Sequence, residues 1–182
     1  MHPLRRSACL YTALLLTACA SGSTSAPSTA PPELRRGVEG TERVVQRGND
    51  VTSIVAAQRT EVWLALQTIL TDLRITPTTV SPSEGRLFAD GFRLLRLADR
   101  RASAYVDCGT GLNGPVADDS TVLANLRIVV SDHVGGGTEV ALQVDAEARP
   151  RGGIEGLRSC TSTGRMEDLV FQMLGERLSG PA

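Results

Sequence analysis

Two neighbouring stretches in the second half of the chain alternate apolar and polar residues. The stretches are 123–131 and 138–148, and a run of three glycines at 135–137 lies between them. A period of two is typical of antiparallel strands that turn one face to the core and the other to water. We therefore predict a long hairpin, whose inward residues are Ala124, Leu126, Ile128, Val130, Val140, Leu142, Val144 and Ala146.

Apolar residues with helical spacing mark one segment on each side of this hairpin. The first, 60–73, begins at Thr60, a residue type that can cap a helix. The second, 165–178, has Glu167 and Asp168 in its first turn, where carboxylates suit the helix dipole. We expect both apolar stripes to face the core. They consist of Val62, Leu66, Ile69, Leu70 and Leu73 in the first helix, and of Met166, Leu169, Val170, Met173 and Leu174 in the second.

Shorter stretches rich in β-branched and apolar residues complete the pattern. They predict strands at 51–57, 75–80, 86–97 and 102–106, with a turn at 83–85. The order is then strand, helix, a group of short strands, hairpin and helix. Such an order predicts an α+β domain with an antiparallel sheet of about five strands and two helices packed on one of its faces.

The N-terminus has the layout of a bacterial secretory signal. Arg5 and Arg6 precede an apolar run at 8–18 that is too short, at about 1.5 Å per helical residue, to span a bilayer core. The run ends in Leu16-Thr17-Ala18-Cys19, which resembles the lipobox of bacterial lipoproteins. This resemblance implies that residues 1–18 are a signal peptide and that Cys19 carries the acyl chains, palmitate among them, that anchor the protein to a membrane.

The residues after Cys19 indicate which membrane carries the protein and predict a flexible tether. Ala20 stands where many lipoproteins of the inner membrane have aspartate, so the resemblance favours the outer membrane, with the domain facing the periplasm. Small polar residues and prolines follow at 20–32, a composition that cannot bury enough apolar surface to fold. We predict that 19–50 is a largely flexible tether, in which only the apolar pair Val44-Val45 leaves room for local order, and that 51–182 forms the folded domain.

The composition of the chain excludes several kinds of site. All 19 basic residues are arginine, so neither a lysine-dependent P-loop nor Schiff-base chemistry is available. The two histidines, His2 and His133, are too few for a multi-histidine zinc site. Because the net charge is −1, nucleic acid is not an expected partner. We expect no cofactor, no metal and no catalytic residues, and we predict that the protein is not an enzyme.

Four cysteines are present, and two of them remain for a disulfide. Cys9 would leave with the signal peptide, and Cys19 would carry the lipid. Cys108 and Cys160 are then the two cysteines of an exported domain, where oxidation is expected. We predict that they form one disulfide that joins two loops, the second of which precedes the last helix.

Three further patterns have ordinary interpretations. The G-x-G-x-x-G pattern at 109–114 matches a dinucleotide fingerprint, but the residues after it read as a loop rather than the required helix. The adjacent carboxylates Asp118 and Asp119 could contribute to a calcium site but are more typical of a solvated turn. The hydroxyl residues near Cys160 are interpreted as cap and turn residues; they are Ser159, Ser162 and Thr163.

Several of these stretches together resemble the BamC (NlpB-type) outer-membrane assembly lipoproteins, whose domains have a helix-grip fold. The resemblance implies an accessory component of the machinery that inserts β-barrel proteins into the outer membrane. The chain differs from the better-known members because it has room for one such domain rather than two, and because it lacks a long structured segment before that domain. The likeness covers 51–178 and rests on Val62-Trp63-Leu64-Ala65-Leu66, Ile75-Thr76, Ser83-Glu84-Gly85-Arg86-Leu87, the hairpin and the last helix.

We predict from this a non-enzymatic envelope lipoprotein that acts as an interaction module, with the β-barrel assembly machinery among its expected protein partners. The alternative is a carrier or sensor that holds a small apolar ligand between the last helix and the sheet, where helix-grip folds often open a cleft. The two functions differ in what lies beneath 165–178. A pocket there would favour the carrier, and a filled interface would favour the interaction module.

Overall fold

A computed structural model describes the backbone of residues 34–35 and 41–47, and residues 50–151 and 156–180 with their side chains. The helices are α1 (Arg59–Asp72), α2 (Val116–Asp119) and α3 (Arg165–Leu178), and a 3-10 turn covers Ala102–Ala104. The strands, in chain order, are β1 (Leu34–Arg35), β2 (Thr41–Arg47), β3 (Asp50–Val55), β4 (Thr79–Ser81), β5 (Arg86–Arg93), β6 (Arg96–Leu97), β7 (Arg100–Arg101), β8 (Val106–Asp107), β9 (Thr110–Gly111), β10 (Gly114–Pro115), β11 (Ser120–Asp132), β12 (Thr138–Pro150) and β13 (Arg158–Ser162).

The long hairpin of β11 and β12 forms the centre of the fold. Its two strands pair without interruption from Ser120 opposite Pro150 to Asp132 opposite Thr138. Burial alternates along both strands, and every residue predicted to face inward is at most 3% exposed. The hairpin prediction is confirmed, since a strand with one dry face must place apolar residues at every second position.

Shorter strands extend this hairpin on both sides into one antiparallel sheet. On one side, β12 pairs with β3 along its first half and with β13 along its second half, and β2 and β8 continue these two branches. On the other side, β11 pairs with β5, and β5 pairs with β4. The α+β class with an antiparallel sheet is therefore confirmed. The sheet has nine strands among the described residues, more than predicted, because short edge strands pair through backbone groups and carry little side-chain pattern.

The helices α1 and α3 pack on the same face of the sheet and on each other. An ion pair between Asp72 and Arg177 joins their carboxyl-terminal ends. Within the described ranges, no helix has both the length and the apolarity needed to cross a bilayer. The residues that α1 and α3 bury are Val62, Trp63, Ala65, Leu66, Ile69 and Leu70, and Met166, Glu167, Val170, Phe171, Leu174 and Gly175.

Local contacts account for the places where elements differ from prediction. Helix α1 begins at Arg59, because the backbone N–H of Gln58 donates to the Glu61 carboxylate at 3.3 Å and makes Gln58 the cap in place of Thr60. The strand predicted at 102–106 is instead the 3-10 turn followed by β8. The other differences are a shorter strand for 75–80, now β4, and a break in 86–97 that separates β5 from β6.

The turn at 83–85 requires glycine at its last position. Gly85 has φ +66°, and a Cβ atom built there would lie 2.0 Å from the carbonyl oxygen of Val130. The same close approach lets the Val130 N–H donate to the Gly85 carbonyl at 2.8 Å. The predicted turn is thus a point where the chain before β5 touches the far end of β11.

The sheet also begins earlier in the chain than predicted. Strands β1 and β2 fall within 19–50, the segment assigned to a tether, and β2 pairs with β3 from Thr41 opposite Val55 to Arg47 opposite Asp50. The sheet therefore includes residues that precede the predicted boundary at Val51, Val44 among them. The signal peptide 1–18, the lipid-attachment residue Cys19 and most of the proposed tether lie outside the described residues.

Candidate functional site

Two adjoining cavities open at the surface beside the amino-terminal end of α3. Their volumes are about 440 and 470 Å³, and both are lined by Arg100, Thr163 and Arg165. We call the combined depression the arginine groove. One of its walls is the segment around β7 and the other is α3; the residues that shape these walls are Ala98, Arg100, Arg101, Arg165, Leu169 and Gln172.

The wall formed by α3 is the side of the helix, not its inner face. Arg165, Leu169 and Gln172 recur at the spacing of one helical stripe. The neighbouring stripe, which faces the sheet, is buried in the core. Its members are Met166, Val170, Phe171 and Leu174, none more than 4% exposed. The arginine groove therefore runs beside α3 and not between α3 and the sheet.

Tyr105 forms the base of the groove and holds its first wall in place. Its side chain is 2% exposed, and its hydroxyl donates to the carbonyl of Leu97 at 2.7 Å. Burial raises the pKa of Tyr105 above its usual value, while the charges of Arg100 and Arg165 act in the opposite direction. The phenol consequently stays protonated at neutral pH and remains a donor that fixes β6, the strand paired with β7.

Thr163 connects the two walls. Its backbone N–H donates to the carbonyl of Tyr105 at 2.9 Å, and its hydroxyl donates to the carbonyl of Ala104 at 2.7 Å. The segment that leads into α3 is thereby tied, two residues before the helix begins, to the 3-10 turn that follows β7. Thr163, which was predicted to be a cap or turn residue, therefore holds the two walls of the groove together.

A disulfide closes the same corner of the molecule. The sulfur atoms of Cys108 and Cys160 are 2.00 Å apart, so the predicted pair is bonded in the structure. The ladder of β8 and β13 pairs Val106 with Ser162 and Asp107 with Thr161, and the two cysteines are the next residues along the chain at its end. The location differs from the prediction in one respect, because Cys160 lies within β13, while Cys108 directly follows β8. Both half-cystines are buried.

A buried carboxylate lies beneath the first turn of α3. Glu167 is 1% exposed, and its two carboxylate oxygens lie 2.7 and 2.9 Å from the hydroxyl of Ser162, which donates its proton to them. The same hydroxyl accepts the backbone N–H of Gly164 at 3.0 Å. A buried polar group is stable only when it is hydrogen-bonded, so Ser162 helps to keep the start of α3 against the sheet. The sequence pattern placed Glu167 in the first turn but did not reveal its burial.

Replacing Ser162 by alanine is expected to lower the free energy of unfolding by about 2 kcal/mol, because the buried Glu167 carboxyl group loses a hydrogen-bond partner. The measurement is urea unfolding of the oxidised protein. Ser159→Ala is the matched control, since Ser159 is an exposed serine on the same strand and its substitution should change stability by less than about 0.5 kcal/mol. Equal stability of the two variants would show that Ser162 does not stabilise Glu167.

The structure assigns local roles to the remaining sequence patterns. Residues 109–114 form the small hairpin of β9 and β10, and the segment predicted as a loop after it is the one-turn helix α2. Asp118 is not a solvated turn residue, because it accepts both the backbone N–H and the hydroxyl of Ser103, at 3.1 and 2.9 Å. Among the residues that the structure describes, no three or more histidine, cysteine or acidic side chains gather as metal ligands would.

The structure brings together residues that the sequence interpretation left apart. Cys108 and Cys160 were predicted to pair because they are the two cysteines left in a domain that is expected to be exported. In the structure their disulfide lies next to the arginine groove. Arg100 lies between two predicted strands, and Arg165 was predicted only as the first residue of a helix. The one signal in the sequence was the density of arginine before the 3-10 turn, at Arg93, Arg96, Arg100 and Arg101.

Comparison with known proteins adds no family to these observations. No protein-family model matches the chain, and no curated protein matches it. The fold and the groove define a disulfide-containing α+β domain with an antiparallel sheet. The resemblance to the BamC-type lipoproteins stays a hypothesis, resting on the residue patterns given above.

Proposed function

We propose that this protein is a non-enzymatic, lipid-anchored interaction module of the bacterial cell envelope, which faces the periplasm from the outer membrane. The observation that carries the proposal is the arginine groove, a surface depression whose walls are joined by Thr163, Tyr105 and the disulfide. A recognition site benefits from such bracing, because little conformational entropy remains to be lost when a partner binds.

Binding rather than catalysis is inferred from how the hydroxyl groups of the groove are used. The Thr163 and Tyr105 hydroxyls donate to the backbone carbonyls of Ala104 and Leu97, which cannot take up a proton. The Ser103 hydroxyl donates to Asp118, whose carboxylate also accepts the Ser103 backbone N–H and pairs with Arg101, so it holds the 3-10 turn in place. Each is thus held in a structural hydrogen bond. A nucleophile instead requires a neighbouring base that takes its proton when a substrate is attacked. The guanidinium groups of the groove stay charged and can orient a partner without exchanging protons.

The lipid at Cys19 would supply the second part of this function. Several acyl chains anchor a protein firmly, at about 0.8 kcal/mol for each buried methylene. Anchoring confines the groove to the membrane surface, where the effective concentration of other envelope components is high, so weak contacts suffice. The resemblance to BamC-type lipoproteins makes the β-barrel assembly machinery the first partner to test.

The alternative function, an apolar-ligand carrier, has less support. Its ligand would lie beneath α3, where Met166, Val170 and Leu174 are completely buried in the core. The groove that does open beside α3 is lined by arginines and is unsuited to a small apolar molecule. We therefore do not propose the carrier function.

Site-specific photocrosslinking in cells tests the interaction module. A photoreactive residue in place of Gln172, on the groove wall, is expected to crosslink reproducibly to one or a few envelope proteins, identified by mass spectrometry. The matched control replaces Thr79, an exposed residue on the edge strand β4, and should give no such products. Removal of the lipid anchor should strongly reduce the crosslinks at position 172. The proposal fails if position 172 gives no more than position 79, or if a small apolar ligand copurifies with the protein.

A further inference from the structure

The arginine groove concentrates positive charge on a chain whose net charge is −1. Arg100, Arg101 and Arg165 contribute three cations to its lining, and Asp168 contributes one carboxylate. The guanidinium group of Arg101 already lies 3.8 Å from the Asp118 carboxylate, so Arg100 and Arg165 are the two cations that a ligand would meet. Arg100 and Arg165 come from distant parts of the sequence, yet both line both cavities and both lie close enough to Tyr105 to act on its ionisation. An anion bound in the groove could therefore accept charge-assisted hydrogen bonds from both guanidinium groups.

The other lining groups indicate which anion fits. Leu169 is half-buried and offers an apolar contact. The Gln172 side-chain amide donates one N–H to Glu176 at 2.8 Å and keeps its carbonyl oxygen and second N–H for a backbone amide of a ligand. The Asp168 carboxylate disfavours a dense polyanion, because phosphate groups would repel it. A polypeptide with separated carboxylates matches this mixture, since its side-chain anions can meet arginine while its backbone amides meet Gln172.

We propose that the arginine groove binds an acidic segment of a partner polypeptide, with one carboxylate held between Arg100 and Arg165. The inference rests on the proposed function as an interaction module and specifies the chemistry of its partner. The planar guanidinium fork binds a carboxylate through two parallel hydrogen bonds, which gives direction as well as attraction. Each cavity falls within the range of about 300–1,000 Å³ that is usual for binding pockets.

The test uses the mature, lipidated protein in nanodiscs of zwitterionic phosphatidylcholine, so that the bilayer adds no net charge. The probe is a short, fluorescently labelled peptide of alternating glutamate and serine, and its matched partner has glutamine in place of glutamate. Fluorescence anisotropy is expected to show binding of the glutamate peptide that is at least about tenfold tighter than that of the glutamine peptide. The affinity should fall as salt is raised, because the contacts are ionic.

Charge-matched variants locate the binding. The double substitution Arg100→Gln with Arg165→Gln should lower the affinity for the glutamate peptide at least about tenfold. The control removes the same charge elsewhere, by Arg74→Gln with Arg149→Gln at two exposed positions away from the groove, and should leave the affinity within about twofold. Thermal unfolding of both double variants verifies that they fold. Equal weakening by the two pairs of substitutions would overturn the proposal, because only net charge would then matter.

Two further measurements separate this proposal from its rivals. In the first, complete displacement of the glutamate peptide by inorganic phosphate at equal concentration would show that the site is not selective for acidic polypeptide. In the second, the same conclusion follows if nanodiscs of anionic phosphatidylglycerol bind the groove while the glutamate and glutamine peptides bind with equal affinity. Photocrosslinking at position 172 then distinguishes the two levels of inference. Crosslinks that persist in the Arg100→Gln/Arg165→Gln variant would leave the interaction module standing and refute the acidic partner. Absence of crosslinks in the unsubstituted protein would refute the proposed function itself.

Discussion

Replacing Cys108 and Cys160 together by serine is expected to lower the free energy of unfolding by about 4 kcal/mol. The bond joins residues separated by 52 positions, and in the chain-entropy model a loop of this length restricts the unfolded chain by about that amount. Because small domains have about 5–15 kcal/mol of stability in total, the variant would retain only part of its margin. Both half-cystines are buried, so the introduced hydroxyls add to the loss rather than offset it.

Urea unfolding of the wild type, of both single variants and of the double variant measures this contribution. The single substitutions should each cost about as much as the double one, because either breaks the same bond. Wild-type protein treated with a reductant should unfold at nearly the urea concentration of the double variant. A double variant within about 1 kcal/mol of the oxidised wild type would show that the disulfide contributes little to stability.

Replacing Cys19 by serine is expected to abolish lipid attachment completely. A serine hydroxyl cannot form the thioether that carries the diacylglycerol, so the substituted precursor should keep residues 1–18 and incorporate no labelled palmitate. Without acyl chains the protein loses the burial energy that holds it at a membrane. The measurements are metabolic labelling, intact mass and the distribution between membrane and soluble fractions.

Cys9→Ser is the matched control for this experiment. Cys9 lies in the predicted signal peptide, so its substitution should leave acylation, cleavage and fractionation unchanged. The anchor hypothesis is wrong if the Cys19→Ser protein is still acylated and cut before position 19.

The parts of the fold that were predictable are those with a long, strongly periodic pattern. The limits predicted for the last helix, Arg165–Leu178, are those of α3, and the long hairpin was predicted with its inward residues. In both cases many apolar residues lie on the same face of one element, so a single unusual residue does not change the predicted structure. Burial of the apolar stripe dominates the energy of these elements and is visible in the sequence.

The parts that were missed depend on contacts between distant residues. The 3-10 turn before Tyr105 is held by Asp118, which binds Ser103, and no local pattern announces that bond. Strands β1 and β2 join the sheet through backbone groups, which every residue type except proline can supply equally. The arginine groove exists because the ladder of β8 and β13 places the start of α3 beside β7. Nothing in either local sequence shows that Arg100 and Arg165 will share a cavity.

The position of the long hairpin within the disulfide-closed segment has a consequence for the order of folding. Strands β11 and β12 are adjacent in the chain and lie wholly between Cys108 and Cys160, so they can pair before any distant contact forms. Once they do, Ser120 lies next to Pro150, and only residues 109–119 and 151–159 still separate the thiols. A shorter free chain costs less entropy to close. We expect the hairpin to form first and the two cysteines to be oxidised afterwards, already positioned to react with each other rather than with thiols of other exported chains.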